Sequence, residues 1–300
     1  MKKVRFIFVA LMGMMAASCS NESDELSNEQ AVEQSQLVPV RVHVEGFSLS
    51  QEEFSGAQTR AAEDVAGYSG INAMTLAFYN AAGTEVVKTT QLKAVSTTFG
   101  EFECSLPMGS YTMVAVAYFN SDASPLALTS PTAAAFTGTR AYETFASTQA
   151  VNITNTSAVD ISATLDRIVS KLQVVSTDGK TADVSNVRMT FTAGGKDFNP
   201  TTGFAITNTG FVNMVGNSAS VGSTSTSLSF LFLATDEQNI NVTIETLDAD
   251  GNTLLSKTVN NVPFQRNRVT KLTGAMYTNE ALSGTFQVET AWLDEYSANF

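Results

Sequence analysis

Hydrophobic and polar residues alternate most cleanly between Val38 and Val44. Val38, Val40, Val42 and Val44 fall on one side, and Pro39, Arg41 and His43 on the other. Side chains two apart share a face of an extended chain, so the segment reads as a β-strand with one buried face. Pro39 has no N–H to give to a ladder, which places it on an edge strand or at a strand's start. The character then changes. Ser48 to Ala66 is polar, lacks a period and carries a lone arginine, Arg60, followed by Ala61. A long polar loop with one basic residue is where a trypsin-like protease would cut. Two readings follow: an ordinary first strand with an ordinary loop, or a strand that can be cut from its own sheet and replaced.

From Gly70 onward the chain is a succession of short strands. INAMTLAFY puts Met74, Leu76 and Phe78 on one face, Asn80 to Gly83 supplies a turn, and EVVKT returns. In FGEFECSL, Phe102, Cys104 and Leu106 oppose Glu101, Glu103 and Ser105. YTMVAVAYF is apolar on both faces, as a central strand requires. Ser121 to Ser147 reads as a loop-rich excursion, followed by the strands AVNIT and VDISATL. Near Leu165 the pattern restarts with IVSKLQVV, NVRMTF, GFVNMV, LSFLFL, INVTIETL and LLSKTV, and no Pro- or Ser-rich linker intervenes. The expectation is an all-β chain of two closely packed β-sandwich domains, residues 37–165 and 166–300. A glycine turn at Asp248–Gly251 like that at Ala82-Gly83 hints at internal duplication.

Composition adds a compartment. Lys2, Lys3 and Arg5 precede an apolar run from Phe6 to Ala17 that is too short for a membrane span, so residues 1–18 read as a secretory signal. The run ends Ala16-Ala17-Ser18-Cys19, which resembles a bacterial lipobox with Ala16 where leucine is usual. Cys19 is then the lipidation site. Residues 19–36 are polar and acidic, a flexible tether. The formal charge is −12, and losing the three basic residues of the signal leaves −15. That balance argues against nucleic acid as a partner. With Cys19 acylated, Cys104 is expected as a free buried thiol.

Candidates for catalysis are few. His43 is the single histidine and faces outward, so no Ser–His–Asp set can be built. Asp248-Ala-Asp-Gly-Asn has its glycine at the fourth position of a calcium loop, not the sixth, and fits a turn better. Gly194-Gly195 lacks the three-glycine spacing of a dinucleotide site. No metal, cofactor or enzyme activity is expected.

These residues resemble the fimbrillins of Bacteroidetes, the type V pilus subunits, most nearly the major fimbrial subunit group. The carriers are the lipobox at Cys19, VPVRVHV before the Arg60 loop, MTLAFYNAAG, ECSLPMGSYTMVAVAYF, ATLDRIVSKLQVV, VPFQRNRVTKLTGAMY and FQVETAW. The resemblance implies two transthyretin-like, Greek-key sandwiches in tandem. It implies a cell-surface, outer-membrane lipoprotein precursor anchored through the lipid at Cys19, then a fimbrium that supports adhesion. An arginine-specific protease would cut between Arg60 and Ala61, Val38 to Val44 would leave, and another subunit's C-terminal segment would fill the groove. Here Phe286, Val288 and Trp292 share one face of such a donor strand. That same segment is equally readable as a last strand paired within its own domain. A lipidated anchor or tip subunit and a glycan-binding surface lipoprotein are the alternatives.

Overall fold

The computed structural model describes residues 36–48, residues 65–278 and the strand 287–292. Among these, every regular element is a strand. In chain order they are β1 (Leu37–Ser48), β2 (Ala73–Asn80), β3 (Glu85–Leu92), β4 (Glu101–Pro107), β5 (Gly109–Tyr118) and β6 (Leu126–Ser130). Next come β7 (Ala133–Phe136), β8 (Thr144–Ile153), β9 (Val159–Arg167), β10 (Ser170–Ser176), β11 (Asn186–Phe191) and β12 (Asp197–Phe198). The chain continues through β13 (Val212–Gly216), β14 (Thr226–Leu231), β15 (Glu237–Leu247), β16 (Thr253–Gln265), β17 (Arg268–Gly274) and β18 (Gln287–Trp292). The all-β expectation holds.

Turn chemistry sets the hairpins. Asn80 Oδ1 accepts from the backbone N–H groups of Ala82 and Thr84, each at 3.0 Å, and Gly83 takes a φ of 75° that a side chain would resist. Asp248 does the same between β15 and β16, accepting from Asp250 and Asn252, with Gly251 at φ 86°. Its carboxylate is thus spent on its own turn.

The first seven-stranded sheet runs β3-β2-β5-β8-β9-β1-β4. Strands β8 and β9 pair only at Phe145↔Arg167 and Ala146↔Asp166, and there the sheet folds over. Met74, Leu76 and Phe78 of β2 and Met113, Ala115 and Ala117 of β5 thereby share one core with the four valines of β1. The second half builds its sandwich from β14-β10-β17-β18 and β13-β11-β15-β16. Leu172, Val187, Met189, Phe191, Val242 and Phe264 fill its core.

The two halves repeat one topology. Strands β1, β2, β3, β4, β5, β8 and β9 correspond to β10, β11, β13, β14, β15, β16 and β17. The correspondence keeps the antiparallel pairs β1–β4, β2–β3, β2–β5 and β5–β8 and the parallel pair β1–β9, while β8–β9 and β17–β18 have no counterpart. The glycine turns that hinted at duplication are not equivalent, since one joins β2 to β3 and the other β15 to β16, the counterparts of β5 and β8.

The Ser121–Ser147 excursion is more ordered than its composition implies. It holds β6, β7 and the start of β8, and β7 pairs with β12 from the second half. This small sheet lies over a third core of Ala77, Tyr79, Val114, Val116, Phe136, Ile168, Phe198 and Phe232. Phe232 stacks on Phe198 with ring centroids 4.3 Å apart and reaches Phe136 at 6.3 Å. That explains why β5 is apolar on both sides: each of its faces lines a different core. Phe232 is 0% exposed. Phe232→Ala should lower unfolding free energy by about 3–5 kcal/mol, read as a lower midpoint in urea with an unchanged slope.

Candidate strand-exchange site

The valine face of β1 is fully committed. Val38, Val40, Val42 and Val44 are buried, at most 3% exposed, and each is worth about 1.5–3 kcal/mol. β1 is not an edge strand. It lies between β9, parallel, and β4, antiparallel, with Val40 opposite both Val159 and Cys104. Pro39 is the third residue of β1 and stands opposite Ser105 of β4, but it lies one residue before the β9 ladder begins, so that ladder does not need its missing N–H. The outward face is charged. Arg41 reaches Glu103 at 3.4 Å and Asp160 at 4.0 Å, and His43 Nδ1 bonds Glu101. These exposed pairs contribute little.

Cys104 is half-buried rather than enclosed, and it packs on the core beneath β1. Burial pushes its thiol pKa up. The thiolate fraction, and with it reactivity, is therefore low.

The chain on each side of residues 49–64 is fixed to the same place. Phe47 is 0% exposed and meets Phe145 at 4.2 Å and Tyr68 at 5.3 Å. The Tyr68 hydroxyl donates to Glu143 and accepts from an Arg167 guanidinium N–H at 2.8 Å. Arg167 lies 3.0 Å from the Glu143 carboxylate, donates to Asn267 Oδ1 at 3.0 Å and covers the Phe145 ring at 4.8 Å. Val65 and Ile71 are buried beside this network. A cut within 49–64 would thus leave both flanks tied down.

At the other end, β18 pairs antiparallel with β17, placing Val288 opposite Leu272 and Trp292 opposite Arg268. The chain leading to it is clamped by Asp178. That carboxylate accepts from the backbone N–H groups of Met276 at 2.7 Å, Tyr277 at 2.8 Å and Thr278 at 3.0 Å, and from the Thr278 hydroxyl at 3.2 Å. Cys19, Arg60, Ala61 and Phe286 lie outside the described residues. Sequence reasoning missed Phe47, Tyr68, Glu143, Arg167 and Asp178. Tyr68–Glu143, Arg167–Asn267 and Asp178–Met276 join positions 75, 100 and 98 residues apart, and no local pattern announces them.

The chain belongs to the Family of unknown function (DUF6562), whose model matches residues 39–299. No curated protein matches it. Among solved structures it is similar to a candidate adhesin from Bacteroides ovatus, at 9% identity and a TM-score of 0.50, covering 85% of this chain and 94% of that one. It also matches polysaccharide-binding candidates from Bacteroides thetaiotaomicron at 11% identity, TM-score 0.49, over 87% of this chain and 100% of that one. A third match is the fimbrial anchor protein Mfa2 from Porphyromonas gingivalis, at 11% identity, TM-score 0.46, over 85% and 97%. The first of these shows a shared fold.

Burial holds the Tyr68 phenol well above its ordinary range, with the Glu143 charge adding to the shift. Burial pushes Tyr79 up to about 12, helped by Glu85. A folded-state pKa above the unfolded value of about 10 gives stability that is full below pH 10 and lost as pH climbs toward the folded value. Each such tyrosine contributes a slope of about 1.4 kcal/mol per pH unit. Urea titrations between pH 9 and 12 should show this loss, and Tyr68→Phe should make it shallower.

Proposed function

We propose that this chain is a structural subunit of a cell-surface fimbria, made as a lipoprotein acylated at Cys19 and polymerised by strand exchange. The Arg60–Ala61 bond is cut, and β1 leaves the groove between β9 and β4. The C-terminal segment of a neighbour enters with Phe286, Val288 and Trp292. Residues 37–165 then act as the acceptor domain and 166–300 as the donor domain. One observation carries the reading: a middle strand that supplies an all-valine face to the core continues into the chain through residues 49–64, where the lone arginine lies. The fold shared with a candidate adhesin agrees with a surface role.

The energetics agree as well. Four buried valines at about 1.5–3 kcal/mol each, plus two ladders, hold a cut β1 in place, so release needs a competing strand. Strand addition supplies such a competitor, with backbone bonds and alternate side-chain pockets. One cut would also separate the subunit from its lipid.

The test treats the full chain and Arg60→Ala with an arginine-specific protease, then follows N-terminal sequence, oligomer size and Cys104 alkylation. The cut chain should begin at Ala61 and form oligomer ladders. Cys104, relieved of Val40, should alkylate at least about tenfold faster during exchange. Arg60→Ala should remain a folded monomer with a slow thiol. Assembled fibres that begin at Cys19 would overturn the mechanism, and ladders without any change at Cys104 would place the acceptor groove elsewhere.

A further inference from the structure

A surface patch away from β1 has the makings of a ligand site. Phe119 follows β5 and is 39% exposed, a rare position for phenylalanine. Its ring lies 5.4 Å from that of Tyr142, and Phe136 abuts Tyr142 edge-on at 5.7 Å from the core side. The Arg140 guanidinium stands 5.3 Å over the Tyr142 ring.

Arg140 differs from other arginines of the chain. Arg41, Arg167, Arg188 and Arg266 each sit within 3.4 Å of a carboxylate. Arg140 makes no ion pair among the described residues, and its Nε is buried without a hydrogen-bond partner there. A half-desolvated cation without an anion is costly, and an incoming anionic group would satisfy it.

The scaffold is stiff. Asn72 and Asn120 exchange side chain–backbone bonds at 2.5 and 3.1 Å, and the Phe119 N–H donates to Glu143 O at 3.1 Å. The Ser124 hydroxyl donates to Arg140 O at 2.6 Å and accepts from the Gly138 N–H at 3.1 Å. These bonds also choose the ligand class. The backbone donors of Phe119 and Asn120 are taken, so an added peptide strand finds no ladder to join here. What the patch offers is an aromatic face beside one cation.

We propose that Phe119, Tyr142 and Arg140 form a binding site for an acidic sugar, the ring stacking on the aromatic pair and the carboxylate meeting Arg140. The site shares no residue with β1 or β18, so it stands or falls independently of strand exchange.

The experiment measures binding to the purified full chain by saturation-transfer NMR and calorimetry. The probes are tetragalacturonate, its methyl ester, and sialyllactose. At least one acid sugar should bind, and galacturonate binding should fall about tenfold on esterification. Phe119→Ala and Arg140→Gln should each weaken the bound acid sugar about tenfold, with Arg140→Lys restoring part. Thermal melts establish that each variant is folded, and Phe119→Leu substitutes should Phe119→Ala fail that check. Absence of binding by both acid sugars would overturn the site. So would binding indifferent to both residues, or a tetraglutamate peptide that binds equally well with the same dependence on them.

Discussion

The parallel pairing of β1 with β9 is the constraint on which the first sandwich depends. Strands β1 and β9 lie at opposite ends of that half of the sequence, so the sheet closes only when the chain has been threaded through everything between them. Without β1, the β9 edge and the β4 edge would both lose their ladders, and Leu76, Phe78 and Met113 would face a slot lined on one side only. A closed core of this kind depends on a single non-local element.

The repeat gives the second half a slot of the same topology with a different edge. Its counterpart of β1 is β10, tied to β9 by only Ile168 and Val169. In the shared register, Val38, Val40 and Val42 face Leu106, Cys104 and Phe102, while Ser170, Leu172 and Val174 face Leu231, Ser229 and Ser227. Ser170 and Ser229 are buried with hydroxyls lacking partners among the described residues. An incoming apolar strand would gain less from a slot edged with Ser229 and Ser227 than from one edged with Cys104 and Phe102. Side-chain chemistry, more than topology, distinguishes the two slots.

Alternation made β1 and β4 legible, because a period of two reports which face is wet, and the unbroken apolar run of β5 marked a central strand. It could not report neighbours. That β1 is a middle strand, or that β6 and β7 order a stretch rich in alanine, serine and threonine, depends on long-range contacts that composition does not encode. Arg167 is the clearest case. Two residues beyond Leu165 it falls on the inward face by alternation, but the sequence does not say what satisfies a buried guanidinium there: Glu143, Tyr68 and Phe145 are each supplied from elsewhere. The duplication was visible only as a hint, and the turns that raised it were not the equivalent ones. Strand pairing, not turn sequence, carries the repeat.

Arg167 also joins the two ends of the exchange reading. It is the last residue of β9, which walls the β1 groove, and it donates to Asn267, the residue before β17, which pairs with β18. Asn267 holds a left-handed φ of 59° and donates its own N–H to Val169 at 2.9 Å, so the turn is pinned from two directions. A pull on a strand seated beside β9 therefore reaches the β17–β18 ladder through one guanidinium and one tight turn. The aromatic stack of Phe136, Phe232 and Phe198 joins the two halves at a second place. Removing one partner of a buried ion pair costs about 3–5 kcal/mol because the other charge is stranded, so this joint is stiff. In the proposed fibre, this joint would link the point where a neighbour holds on to the point where the chain holds the next.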